Sequence, residues 1–146
     1  MVKFLTFSIF GMSRLRNLAE DLSDKVIAGA ILSPDGIIYS TTPEFKPTGK
    51  EFIDLQLFNW FEPNSEVKTS GIVFREDLYM VTHYTSDLIV AQNEGHAIAF
   101  GNCGVCIVFG YVDDSMEPSE CMNAVNDLSK KIRDIDFQEL LENEPI

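Results

Sequence analysis

Between residues 71 and 112 the chain reads as five strand-sized apolar runs, GIVF, LYMVTHY, DLIVAQ, HAIAF and VCIVFGYV. Only short turns separate them: Arg75-Glu76-Asp77, Thr85-Ser86, Asn93-Glu94-Gly95 and residues 102–104. Parallel strands need crossovers of about a dozen residues or more, so links this short leave only an antiparallel meander. The last runs are apolar at nearly every position, which places them in the centre of a sheet covered on both faces.

The remaining segments supply the cover. In residues 13–26, Leu15, Leu18, Leu22 and Val26 recur at helical spacing behind Ser13, a natural N-cap. The stretch VIAGAILSPDGIIYSTT is two apolar runs around Ser33-Pro34-Asp35-Gly36, a hairpin. Residues 48–61 place Phe52, Ile53, Leu55, Phe58 and Phe61 on one stripe and stop at Pro63-Asn64, a second helix that takes Trp60 into the core. From Pro118, the residues Cys121, Ala124, Val125, Leu128, Ile132 and Ile135 predict a long terminal helix reaching about Leu141. The order specifies an α+β domain, one antiparallel sheet with helices on both faces. At 146 residues there is room for one such domain. Its expected limits are residues 13–142, between an N-terminal extension of residues 1–12 and a tail of residues 143–146.

Charge and cysteine use narrow the function. With 23 acidic against 11 basic residues the net charge is -12, which repels nucleic-acid phosphates and anionic membranes. Three cysteines cannot all pair within one chain, which suggests a reducing, cytosolic setting. Cys103-Gly-Val-Cys106 has the spacing of a redox or zinc pair. It lies at the entry to an apolar strand, however, where positions three apart face opposite ways, so the thiols read as buried and structural. His83 and His96 sit in no nucleophile motif, and Asp113-Asp114 lacks the spaced oxygens of a calcium loop. The residues call for no catalysis, metal or cofactor.

Three segments resemble the profilin family. AGAILSPDGIIYS is similar to the first profilin hairpin. Residues 45–80, F-x-P-x-x-x-E-F-I through F-N-W-F-E-P and S-G-I-V-F to L-Y-M-V, resemble its second helix and the following strands. IVFGYVDDSMEPSECMNAVNDL resembles its last strand and helix. The resemblance implies a central seven-stranded antiparallel sheet, with the N- and C-terminal helices on one face and a middle helix on the other. It also implies a monomeric, cytoplasmic, cytoskeleton-associated protein without enzymatic activity that binds monomeric actin. The matching positions are Met80, Thr82, His83, Asn93, Ser119, Glu120, Met122 and Asn123. Ala91 and Asn93 stand where the family carries cations, which argues against phosphoinositide headgroups and removes long-range steering. A second family function, binding proline-rich segments, places Tyr39 at an aromatic position, while Leu15, Leu18 and Lys131 occupy the others. Phe4, Phe7 and Phe10 of the extension are candidates to replace or cover that groove. The rival readings are a roadblock or longin-like adaptor, which has five strands where this chain has seven, and a small sensor domain, which needs a closed cavity.

Overall fold

Strand β7 (Ile107–Val112) shows how the molecule is layered, because its side chains enter two different cores in turn. Ile107, Phe109 and Tyr111 join an aromatic layer, while Val108 and Val112 join an aliphatic one. Successive strand residues point to opposite faces, so β7 lies between two covering layers.

The computed structural model describes residues 19–48, 51–52 and 57–142. Ahead of β7 come β1 (Ala28–Leu32), β2 (Ile38–Thr41), β3 (Ile72–Phe74), β4 (Asp77–Tyr84), β5 (Leu88–Asn93) and β6 (His96–Asn102). They form one seven-stranded sheet in the order β2-β1-β7-β6-β5-β4-β3, antiparallel at every step. Pairing of β1 with β7 joins the first hairpin to the end of the meander and leaves β2 and β3 as the two edges. Two-residue turns with positive φ at both central positions, Arg75-Glu76 and Glu94-Gly95, close the β3–β4 and β5–β6 hairpins. That backbone matches the right-handed twist of paired strands.

The aliphatic layer is covered by helix α3 (Pro118–Glu142) and the turn Glu20–Leu22, which bury Leu22, Val26, Cys121, Val125, Leu128 and Ile132. α3 docks closely because glycines face it. A Cβ on Gly101 would stand 1.8 Å from Ser129 Oγ, and one on Gly110 would stand 2.6 Å from Val125 Cγ2. The buried Ser129 hydroxyl donates to the Val125 carbonyl at 2.7 Å, so close docking does not leave it unpaired.

On the other face, Phe45, Phe52, Phe74, Trp60, Phe100 and Phe109 fill the aromatic layer beneath helices α1 (Leu57–Trp60) and α2 (Val67–Ser70). Phe52 lies 5.0 Å from Phe109, and Trp60 lies 5.1 Å from Phe100, both edge to face. Tyr84 ties α1 to the sheet: its hydroxyl donates to the Trp60 carbonyl, with the Glu62 carbonyl at 2.6 Å.

Thr48 and Arg75 converge on a nearly buried carboxylate. Glu51, its side chain only 3% exposed, accepts the Thr48 N–H at 2.9 and 3.0 Å, the Thr48 hydroxyl at 2.9 Å and the Arg75 guanidinium at 3.2 Å. Burial pushes its pKa up, but these donors outweigh it and hold the carboxyl at about 2. Arg75 also donates to the Lys46 carbonyl at 3.3 Å and lies 5.2 and 5.5 Å from the rings of Phe45 and Phe74. The β3–β4 hairpin is thereby tied to the aromatic layer.

The expected sheet, terminal helix and two-sided cover are all present. Of the expected first helix, the described residues hold Ala19 and the tight turn Glu20–Leu22, after which Val26 N–H donates to the Leu22 carbonyl at 3.0 Å. Ser13, Leu15, Leu18, the extension of residues 1–12 and the tail of residues 143–146 lie outside the described residues. Of the second helix, expected over residues 48–61, the described residues are helical at Leu57–Trp60, while Thr48 is irregular, residues 51–52 form a turn, and Ile53 and Leu55 lie outside the described residues. α2 is an addition: a single turn has no periodicity to read.

One expectation is reversed. Cys103 and Cys106 do not face opposite ways; both enter the aliphatic core. They flank the β6–β7 turn instead of following one another along a strand, and Cys103 N–H donates to the Cys106 carbonyl at 3.0 Å across it.

Candidate partner-binding face

Helix α3 packs chiefly over β6 and β7, with lighter contact to β5 and to the turn Glu20–Leu22. The same side of β4 and β3 therefore forms an exposed shelf beside the helix. Ile72, Phe74 and Tyr79 point into the aromatic core, so Val73, Leu78 and Met80 point to the shelf. They are 55%, 49% and 44% exposed, and Val73 pairs directly with Leu78.

A bulge in β4 decides which way its later residues face. The register slips between Val81 and His83, with Thr82 as the extra residue. Met80 opposes Gln92, and His83 opposes Val90, which belongs to the aliphatic core; both therefore lie on the α3 side. Without the extra residue, His83 would follow Val81 onto the aromatic side. Thr82 is held by accepting from Gln92 Nε2 at 2.9 Å and lies 3.5 Å from the Val90 carbonyl.

Where the shelf meets α3 there is an open groove of about 280 Å³, lined by His83, Thr85, Asp87 and Leu88 from the sheet and Met122, Asn123, Asn126, Lys130 and Arg133 from the helix. Its far end is built by Arg133, which donates to the Asn102 carbonyl at 2.6 Å and lies 3.9 Å from Asp87. On the other flank of α3 a second groove is lined by Asp24, Lys25, Met116, Glu120, Asn123, Ala124 and Asp127. Asn123 lines both.

The sequence-derived residues thus separate. Met80, Thr82 and His83 share the shelf, and His83, Met122 and Asn123 line one groove. Ser119 is exposed in the first turn of α3. Glu120 lines the opposite flank, and its carboxylate accepts the Glu117 N–H at 2.9 Å, capping the helix. Asn93 is half-buried and donates its amide to the Leu78 carbonyl at 2.8 Å, bracing the rim. Tyr39 is remote from the shelf. It is half-buried against the aliphatic core, and burial, with Cys106 and Asp35 adding to it, raises its phenol pKa. Lys131 is paired with Asp21 at 2.8 Å.

Sequence reasoning missed Val73 and Leu78, and on α3 it missed Asn126, Lys130 and Arg133. The helical residues succeed Met122 at spacings of three and four, a stripe open to reading. Among the described residues no group of three or more His, Cys, Asp or Glu side chains is placed to hold a metal ion, and no helix is long and apolar enough to cross a membrane.

The profilin family model matches residues 16–137. No curated protein matches the sequence. Among solved structures, Acanthamoeba castellanii profilin IB superposes with a TM-score of 0.71 at 17% identity, covering 83% of this chain and 98% of that one. Schizosaccharomyces pombe profilin gives 0.69 at 16% identity, over 83% and 98% of the two chains. LokiProfilin1 in complex with rabbit actin gives 0.60 at 18% identity, over 86% and 96%.

Proposed function

The chain belongs to the profilin family, and from that premise we propose that it binds monomeric actin through the shelf of β3 and β4 and the adjoining flank of α3. One observation carries the reading. Of the four large apolar side chains left exposed among the described residues, three, Val73, Leu78 and Met80, lie together on this face. Exposed apolar groups gathered beside a polar groove mark a protein-binding surface. LokiProfilin1, whose fold this chain shares, was solved in complex with rabbit actin.

The mode of action is stoichiometric. A sheet face backed by two packed layers covers one end of an actin monomer, hinders its addition at that filament end and suppresses spontaneous nucleation, with no bond made or broken. Val73, Leu78 and Met80 supply buried apolar area, roughly 1.5–3 kcal/mol for each side chain fully covered. His83, Met122, Asn123 and Asn126 supply the polar and soft contacts that set orientation. For proline-rich segments Tyr39 is the one supporting residue among those described, so a polyproline peptide is expected to bind far more weakly than actin.

Assembly of pyrene-labelled actin tests the reading. Protein in excess over actin is expected to lengthen the nucleation lag; an unchanged lag and elongation rate would discard it.

A further inference from the structure

The β6–β7 turn sets two thiols against each other. Cys103 and Cys106 adjoin the last paired residues of the ladder, Asn102 and Ile107, and a 3.0 Å hydrogen bond from the Cys103 N–H to the Cys106 carbonyl closes the turn between them. Both side chains enter the same core. Residues facing each other across antiparallel strands hold their Cα atoms about 4.5–5.5 Å apart, inside the roughly 4.4–6.8 Å that a disulfide spans. Opposed Cβ atoms stand about 4.5–5.5 Å apart against about 3.8 Å across a disulfide, so bond formation must draw the strand ends together by about an ångström. The turn between them is open at its tip. Gly104, at the tip, has φ +87 and no atom within 4 Å of where a Cβ would stand.

We propose that Cys103 and Cys106 form a reversible intramolecular disulfide, closed by a hydroperoxide and opened by a small-molecule thiol. Cys103 is the attacking residue: it is 4% exposed beside the open tip, whereas Cys106 is 0% exposed. Its thiolate attacks a peroxide oxygen, the O–O bond breaks, and the alcohol, or water from hydrogen peroxide, leaves with a proton. The resulting sulfenic acid is attacked by the Cys106 sulfur, which loses its proton; the S–O bond breaks and water departs. Two thiols lose two electrons, and one hydroperoxide gains them. A strained bridge of this kind is easily reduced, which makes the pair a reversible modification site and not a structural staple.

Cys121 takes no part. It lies on α3, away from the β6–β7 turn and 3.3 Å from where a Cβ on Gly110 would stand, and burial pushes its thiol up to about 12. Closure is felt beyond the turn, because the neighbouring Asn102 donates its N–H to the Asp87 carbonyl at 2.8 Å and accepts from Arg133 at 2.6 Å. Both partners line the groove beside the shelf.

Peptide mapping after peroxide treatment tests this directly. The reduced full chain, freed of reductant, is exposed to hydrogen peroxide, alkylated, digested and weighed by mass spectrometry. The expected product is a bridge between Cys103 and Cys106, two hydrogens lighter and reversed by dithiothreitol, with Cys121 alkylated only after unfolding. Cys103→Ser and Cys106→Ser each abolish it, and Cys121→Ser leaves it intact; the wild-type map decides the matter even if a variant fails to fold. A bridge to Cys121, a cross-linked dimer, or thiols that oxidise only once urea has unfolded the chain would each overturn the proposal.

Discussion

Glu51 shows at the scale of one residue how a near-buried charge becomes an asset. Its carboxyl titrates at about 2 in the folded chain against 4.5 ordinarily. Between those values the unfolded chain takes up a proton that the folded chain refuses, so stability falls as pH drops from about 4.5 towards about 2 and is unaffected above that window. Glu51→Gln keeps the shape but gives up the charge-assisted bonds; a loss of about 1–3 kcal/mol is expected. Thermal unfolding followed from neutral pH into acid should show the variant less stable at neutrality and less sensitive to acid. An unchanged acid limb would mean that Thr48 and Arg75 do not hold the carboxylate. Glu76 makes the opposite case. It is an exposed residue at φ +75, a conformation that costs most side chains about 1–2 kcal/mol. Glu76→Gly is expected to stabilise by roughly 0.5–1 kcal/mol in denaturant titration, with no change in denaturant sensitivity.

Among the elements, the docking of α3 is the most sensitive contact. Gly101→Ala would bring a methyl against Ser129 Oγ, 1.8 Å away in the present packing. Helix and sheet must part, at a cost of about 1–3 kcal/mol by chemical denaturation; a variant as stable as the parent would show that α3 rides further from the sheet. How much was legible from the sequence depends on how each element carries its signal. All five runs of the meander appear as strands at their expected places, because their turns leave no room for anything else. α3 was legible from its stripe, which is the set of residues it buries. α2, a single turn, has no period to detect. The shelf was harder. Val73 and Leu78 belong to runs that are apolar at consecutive positions, and alternation cannot say which face of such a run is uncovered until the strand order puts β3 at an edge. The bulge at Thr82, which turns His83 towards α3, was equally hidden, since an extra residue in one strand shows only against its partner. Cys103 and Cys106 were misplaced for the same reason, because a turn two residues long inverts the facing that a continuous strand would give.

At the scale of the whole molecule, the shelf left uncovered among the described residues suits recognition by shape and apolar contact more than by long-range attraction. The net charge of -12 opposes approach to an acidic partner such as actin, so added salt, by screening that repulsion, is expected to raise the association rate. A rate that falls with salt would point to a partner of the other sign. The central claim, that the shelf beside α3 is the actin-binding face, is tested most directly by titrating monomeric actin with the wild type, with Leu78→Asp/Met80→Asp and with Tyr39→Ala, each first shown to be folded. The shelf variant is expected to lose at least about tenfold in affinity, since a buried unpaired charge at an apolar contact costs more than about 1.4 kcal/mol, while Tyr39→Ala binds as the wild type does. Equal binding by the shelf variant and the wild type would contradict the account.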